Sequence, residues 1–190
     1  MKTGRLEAFS DGVLAIVITI MVLELVAPEG SEFSDLKPLY PKFLSYLLSF
    51  VYLGIYWNNH HHLFQAIERV NGKILWANLT LLFILSLIPF TTAWMGENHF
   101  AKNPVALYGI NLLLSAVSFL ILEKAAINHE GRVSKIGRAL KDYVKEYFSI
   151  GLYVGGTVAA FYIPLIGIIC FATVAAIWII PDSRIEKQLK

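Results

Sequence analysis

Residues 5–25 read RLEAFSDGVLAIVITIMVLEL, and no other stretch limits the possible folds as tightly. From Gly12 to Leu23 the run is apolar except for Thr19. With its flanks it has the ~20 residues that a helix needs to cross a bilayer core. In hydrocarbon the backbone must be satisfied internally, which leaves helices or a closed barrel as spanning structures. The segment also carries Asp11 at membrane depth, where an ionisable group is expensive and marks a functional site by default.

At ~100° per residue, Ile16, Thr19, Ile20 and Leu23 fall at i, i+3, i+4 and i+7 and form one stripe. Ser10 and Asp11 lie off that stripe. One face is therefore an apolar line with a single hydroxyl. Another carries polar groups that need partners, because a buried polar group without a hydrogen bond costs several kcal/mol. Taken alone, the stripe is equally what ordinary helix packing would produce.

The rest of the composition agrees with a membrane protein. The 190 residues are 56% hydrophobic and 16% charged, whereas a soluble domain carries ~25% charge. No length remains for a sizeable soluble domain, so residues 1–190 are expected to form a single transmembrane unit. A net charge of +2 makes no case for nucleic acid. The lone cysteine, Cys170, excludes an internal disulfide and a cysteine-rich zinc site. The first apolar run is too long for a signal peptide and lacks a small-residue cleavage site, so it is expected to be a retained span.

Six apolar segments can be marked, at about 5–26, 40–64, 74–95, 104–123, 146–162 and 164–180, which predicts an all-α protein of six transmembrane helices. The connection after the fourth is long and basic, with room for an amphipathic surface helix. Of the sixteen lysines and arginines, only Lys37, Lys42 and Lys102 fall on one side of this arrangement. The other thirteen fall with the termini, so both termini are expected in the cytoplasm. Trp57, Trp76, Trp94 and Trp178 sit near span ends, as an aromatic belt would place them.

The chemistry-bearing clusters are few. His60, His61 and His62 are consecutive, so on a helix they point ~100° apart and cannot all bind one metal. A zinc site would need i, i+4 histidines and a carboxylate. No fixed metal site is expected, and the plainest reading is a polar cluster at the inner end of span two. At that depth His60 or His61 could reach Ser10 and Asp11, with Trp57 one turn away from His61 and Asn78 close by on span three. Gly151 and Gly155 form a small-xxx-small pattern with Gly156 beside it, which permits close helix approach. Neither HExxH, nor GxSxG, nor a glycine-rich phosphate loop is present, so no catalytic residues, enzyme activity or cofactor are expected.

Arg5, Phe9, Ser10 and Asp11 spell RxxxFSD at the start of a first transmembrane helix. In this the chain resembles the endosomal and lysosomal potassium channel family, transmembrane protein 175, and looks like its prokaryotic branch. The resemblance extends over the six spans, the motif on the first and the Trp–His-rich end of the second. It implies a potassium-permeable channel in the cell membrane. Members with two six-helix repeats pair as dimers, so one motif here implies a homotetramer with the first helix of each subunit lining a central pore. The family's hydrophobic constriction then maps onto Ile16, Ile20 and Leu23, with Thr19 on the same face. The signature residues Arg5, Phe9, Ser10 and Asp11, with Trp57, His60, His61 and Asn78, are implied to pack the first helix against its neighbours. Arg5 lies nearer the stripe, where it either lines the inner mouth or bends back to an acid. Partners would be other copies of the chain, lipid and permeant monovalent cations, K⁺ among them. The competing class is a small proton-coupled carrier using Asp11 and His60–His62 as a relay. Such carriers want a helix broken at the midplane, and span one has no mid-span proline or glycine.

Overall fold

The computed structural model describes residues 3–139 and 142–179; Lys2, Lys141 and the polar tail with the end of the sixth segment, from residue 180 on, lie outside the described residues. Among the described residues the chain is all-helical. The helices are α1 (Gly4–Leu23), α2 (Tyr40–Ala66), α3 (Gly72–Leu85), α4 (Ile88–Glu97), α5 (Lys102–Glu130), α6 (Lys135–Ala139), α7 (Val144–Ala160) and α8 (Pro164–Ile179), with a 3₁₀ turn at Phe33–Leu39 ahead of α2. Three stretches are long and apolar enough to cross a membrane: Gly4–Leu23, Gly72–Glu97 and Lys102–Glu130. α2 is longer than α1 but more polar, and α7 and α8 are shorter, at 17 and 16 residues.

Two segments differ from the sequence expectation. The segment 74–95 is two helices, not one. Pro89 has no N–H to give to Leu85, and its ring crowds that carbonyl, so the helix stops and restarts. The break is closed locally: Leu87 N–H donates to Ile84 O at 3.2 Å, and Ser86 Oγ donates to Phe83 O at 2.7 Å. The segment expected to end near 123 instead continues as helix to Glu130. Its last turns bury Ala126, and the helix ends at Gly131, whose φ of +91° suits a residue without a Cβ. Only the short α6 is left of the surface helix expected in the basic connection.

α5 is central and packs against α3, α4, α7 and α8, while α1 lies at the edge against α2, α3 and α4. Several polar side chains buried between helices are paired. Ser49 Oγ lies 2.7 Å from Thr92 Oγ1 and 2.9 Å from Tyr108 Oη, and Tyr52 Oη donates to Phe171 O at 2.6 Å. Small residues set the α7–α8 distance, but at Gly156 and Gly167 rather than at Gly151 and Gly155. A Cβ on Gly156 would lie 2.8 Å from Cys170 Cβ, and one on Gly167 would lie 2.8 Å from Gly156 O. Gly151 and Gly155 face open space.

Candidate pore face and its anchoring ladder

α1 has two unlike faces. Leu6, Ser10, Leu14, Val17 and Met21 are buried against the rest of the chain. Their spacing of four, four, three and four keeps them on one side of a 3.6-residue helix. The opposite side is open. Ile16 is 60% exposed, Ile20 45% and Leu23 72%, and Thr19 is exposed between them. Thr19 Oγ1 donates its proton to Ala15 O at 2.7 Å. What the hydroxyl then presents outward is its oxygen lone pairs, an acceptor suited to a cation.

α1 is held by two sets of hydrogen bonds, one buried and one at the edge of its buried side. In the first, Ser10 Oγ donates to Leu6 O at 2.9 Å and accepts from Asn78 Nδ2 at 2.9 Å. Asn78 Oδ1 lies 2.8 Å from His60 Nε2. An amide oxygen can only accept, so His60 carries a proton on Nε2. All three side chains are buried, and the chain Leu6–Ser10–Asn78–His60 ties α1, α3 and α2 together.

The second set is a ladder between α1 and α2. Trp57 Nε1 donates to Asp11 Oδ1 at 3.0 Å, and His61 Nδ1 lies 2.7 Å from Glu7 Oε1. Each rung is four residues from the next on both helices, which run antiparallel. The His61 ring stacks on Trp57 at an interplanar angle of 15°, and Gln65 Nε2 lies 2.7 Å from its Nε2. The Gln65 amide thus donates to one ring nitrogen, and the other donates to Glu7. Glu7 and Gln65 belong to the site although neither is a specified residue of RxxxFSD or of the Trp–His cluster. The sequence signal for the first is that Glu7 stands to Asp11 as His61 stands to Trp57.

Arg5 and Phe9 do not join this network. Both are exposed, Phe9 at 52%, on the open side of α1. Phe9 is seven residues before Ile16, two helical turns, so it extends the stripe instead of leaving it. The signature therefore divides: Ser10 and Asp11 face the protein, and Arg5 and Phe9 face outward with Ile16. The histidines diverge as well. His60 turns to Asn78 and His61 to Glu7, and among the described residues no group of three potential ligands converges on one point.

Residues 5–89 match the family described as endosomal/lysosomal potassium channel TMEM175. A protein of Chryseobacterium sp. (strain P1-3), named as a potassium channel, is 60% identical over 190 residues, covering 100% of this chain and 99% of its own length. The chain belongs to the TMEM175 family. A second relative, named as a potassium channel of Chamaesiphon minutus, is 35% identical over 164 residues, covering 80% of this chain and 81% of its own. The crystal structure of a Chamaesiphon minutus homologue of the lysosomal potassium-selective channel TMEM175 superposes with a TM-score of 0.82 at 29% identity, covering 95% of this chain and 97% of that one. The TMEM175 match runs from α1 to the start of α4, so it contains both rungs of the ladder, the Ser10–Asn78–His60 chain and the whole open face of α1.

Proposed function

We propose that the chain is one subunit of a homotetrameric, potassium-permeable cation channel of the prokaryotic plasma membrane. Six segments cross the bilayer, both termini are cytoplasmic, and α1 of each subunit lines the pore. The observation that carries this reading is the division of α1 into an anchored face and an open one. Asp11, Ser10 and Glu7 are committed to α2 and α3, which leaves Ile16, Thr19, Ile20 and Leu23 as the side presented outward. The relatives named as potassium channels support the permeant ion.

Four α1 helices around an axis would stack Ile16, Ile20 and Leu23 as rings within about 10 Å, at ~1.5 Å per residue. A cation crossing such a neck sheds water and gains little except the Thr19 lone pairs. Selectivity then follows from neck width and dehydration cost, and is weaker than that of a carbonyl filter. The carrier reading has one observation in its favour, the break between α3 and α4. The break is hydrogen-bonded shut, however, and α1, which holds Asp11, is continuous. Single-channel recording from reconstituted protein decides between them. Unitary currents of channel size support the pore, and transport only at carrier turnover rates removes it. Native mass spectrometry tests the tetramer separately.

A further inference from the structure

At the inner end of the molecule an open groove of about 1040 Å³ runs between α3 and α5. The two helices are antiparallel across it, and each contributes residues one turn apart. From α3 come Lys73, Trp76 and Thr80; from α5 come Asn128, Lys124 and Ile121. The end of the groove at Lys73 and Asn128 is polar and basic. The end at Thr80 and Ile121 is apolar, because Thr80 Oγ1 is bonded back to Trp76 O at 2.9 Å. Polarity is thus graded along the groove over about two helical turns, as it is along a phospholipid from head to glycerol to acyl chain.

The cationic end is not neutralised. Among the described residues neither Lys73 nor Lys124 has a carboxylate partner; Lys124 Nζ lies 5.6 and 5.7 Å from the ring centres of Tyr143 and Tyr147 and 3.4 Å from the Tyr147 hydroxyl, contacts that leave its charge in place. The nearby acid, Glu130, is turned away and accepts the backbone N–H groups of Glu68 and Arg69 at 3.1 and 3.2 Å. The first turn of α3 starts at Gly72, where helix geometry leaves backbone N–H groups without intrahelical partners. Trp76 is 72% exposed and stands one turn deeper, at the level where an indole ring sits beside headgroups.

We infer that this groove binds an anionic phospholipid of the cytoplasmic leaflet, its phosphate between Lys73 and Lys124 and an acyl chain along Trp76, Thr80 and Ile121. The charge fits an anionic head, and the apolar wall fits a chain, which a free phosphate would leave uncovered. The site rests on the orientation proposed above but not on ion conduction.

Native mass spectrometry of protein released from micelles holding equal phosphatidylglycerol and phosphatidylcholine tests it. Two lysines at an anionic surface correspond to roughly a thirtyfold preference for the anionic lipid in the wild type. K73Q/K124Q should bring the two lipids close to parity, while R138Q, a basic change off the groove, should leave the preference intact. An unchanged preference in K73Q/K124Q, or an equal loss in R138Q, overturns the site. If K73Q/K124Q fails to fold, the wild type still decides the matter through Trp76. Phosphatidylglycerol with brominated chains should quench the fluorescence that W76F lacks, and brominated phosphatidylcholine should quench it much less; equal quenching overturns the site. Reversed topology would move the groove to the other leaflet and appear in sidedness labelling of Lys73, without altering lipid preference.

Discussion

The Trp57 indole N–H donates to the Asp11 carboxylate at 3.0 Å, and this bond decides which way α1 faces. Asp11 is the acid at membrane depth that a carrier would use as a relay. Here it is held by a side chain on α2, with the Glu7–His61 rung one turn away. Two rungs on one face fix the rotation of α1 about its axis, which a single bond would leave loose.

Removing either end of that bond should harm stability more than permeation. Asp11→Ala removes the acceptor of a half-exposed Trp57 indole, so the loss should be that of an ordinary hydrogen bond, about 0.5–1.5 kcal/mol. Asp11→Asn keeps an acceptor and should cost less. Thermal unfolding in detergent measures the first effect, and K⁺ and Na⁺ flux through the surviving protein measures the second. A stable Asp11→Asn protein with altered selectivity would put Asp11 in the ion path.

Each rung should couple its own two residues across the helices, largely independently of the other rung. In a double-mutant cycle of Glu7→Ala with His61→Ala, the pair lies in direct contact, so an interaction energy of roughly 0.5–3 kcal/mol is expected. Glu7→Ala with Trp57→Phe should show less, because those side chains are not bonded to each other. Equal coupling in the two cycles would mean that the rungs are not separate contacts.

Much of this site was legible in the residues, and the limits have physical causes. The stripe and the off-stripe position of Ser10 and Asp11 follow from helical geometry alone. Partners on other helices do not, since sequence gives membrane depth but not rotation; depth alone therefore groups Trp57, His60, His61 and Asn78 without distinguishing their partners, and does not single out Glu7 or Gln65. The motif groups Phe9 with Asp11, although its angle about the helix places it with Ile16. The α3–α4 break lies inside a predominantly apolar run and is visible in sequence only as Pro89. The glycine pattern at Gly151 and Gly155 fits the small-residue template, yet the close approach is at Gly156, because the template cannot say which side of α7 meets α8.

The glycines give a test within one helix. Gly156→Ala pushes a Cβ against Cys170 and should destabilise the fold by about 1–3 kcal/mol, the usual cost of overpacking. Gly155→Ala meets open space in the subunit and should not lower its stability. Chemical denaturation of both variants compares them directly. Should Gly155→Ala dissociate the oligomer while the subunit remains folded, that face of α7 is a contact between subunits.

The neck itself is the sharpest test. Ile16 is open to the outside of the subunit, and Val17, its neighbour in sequence, is only 4% exposed. The same polar substitution at the two positions therefore separates a pore effect from a folding effect. Ile16→Asn places hydrogen-bonding groups on a ring that otherwise sheds water, so the ring should stay wet and an ion crossing it should lose less hydration. Higher resting conductance and a weaker preference for K⁺ over Na⁺ are expected, with stability changed little. Val17→Asn instead buries an amide in the packing between α1 and its neighbours, at a cost of about 1–3 kcal/mol without a partner. It should lower the yield of folded protein, with no gain in conductance from what remains. Flux of both cations from vesicles containing each variant, normalised to assembled protein, reads the two effects apart. Unchanged flux and selectivity in a fully assembled Ile16→Asn channel would place the constriction away from this stripe.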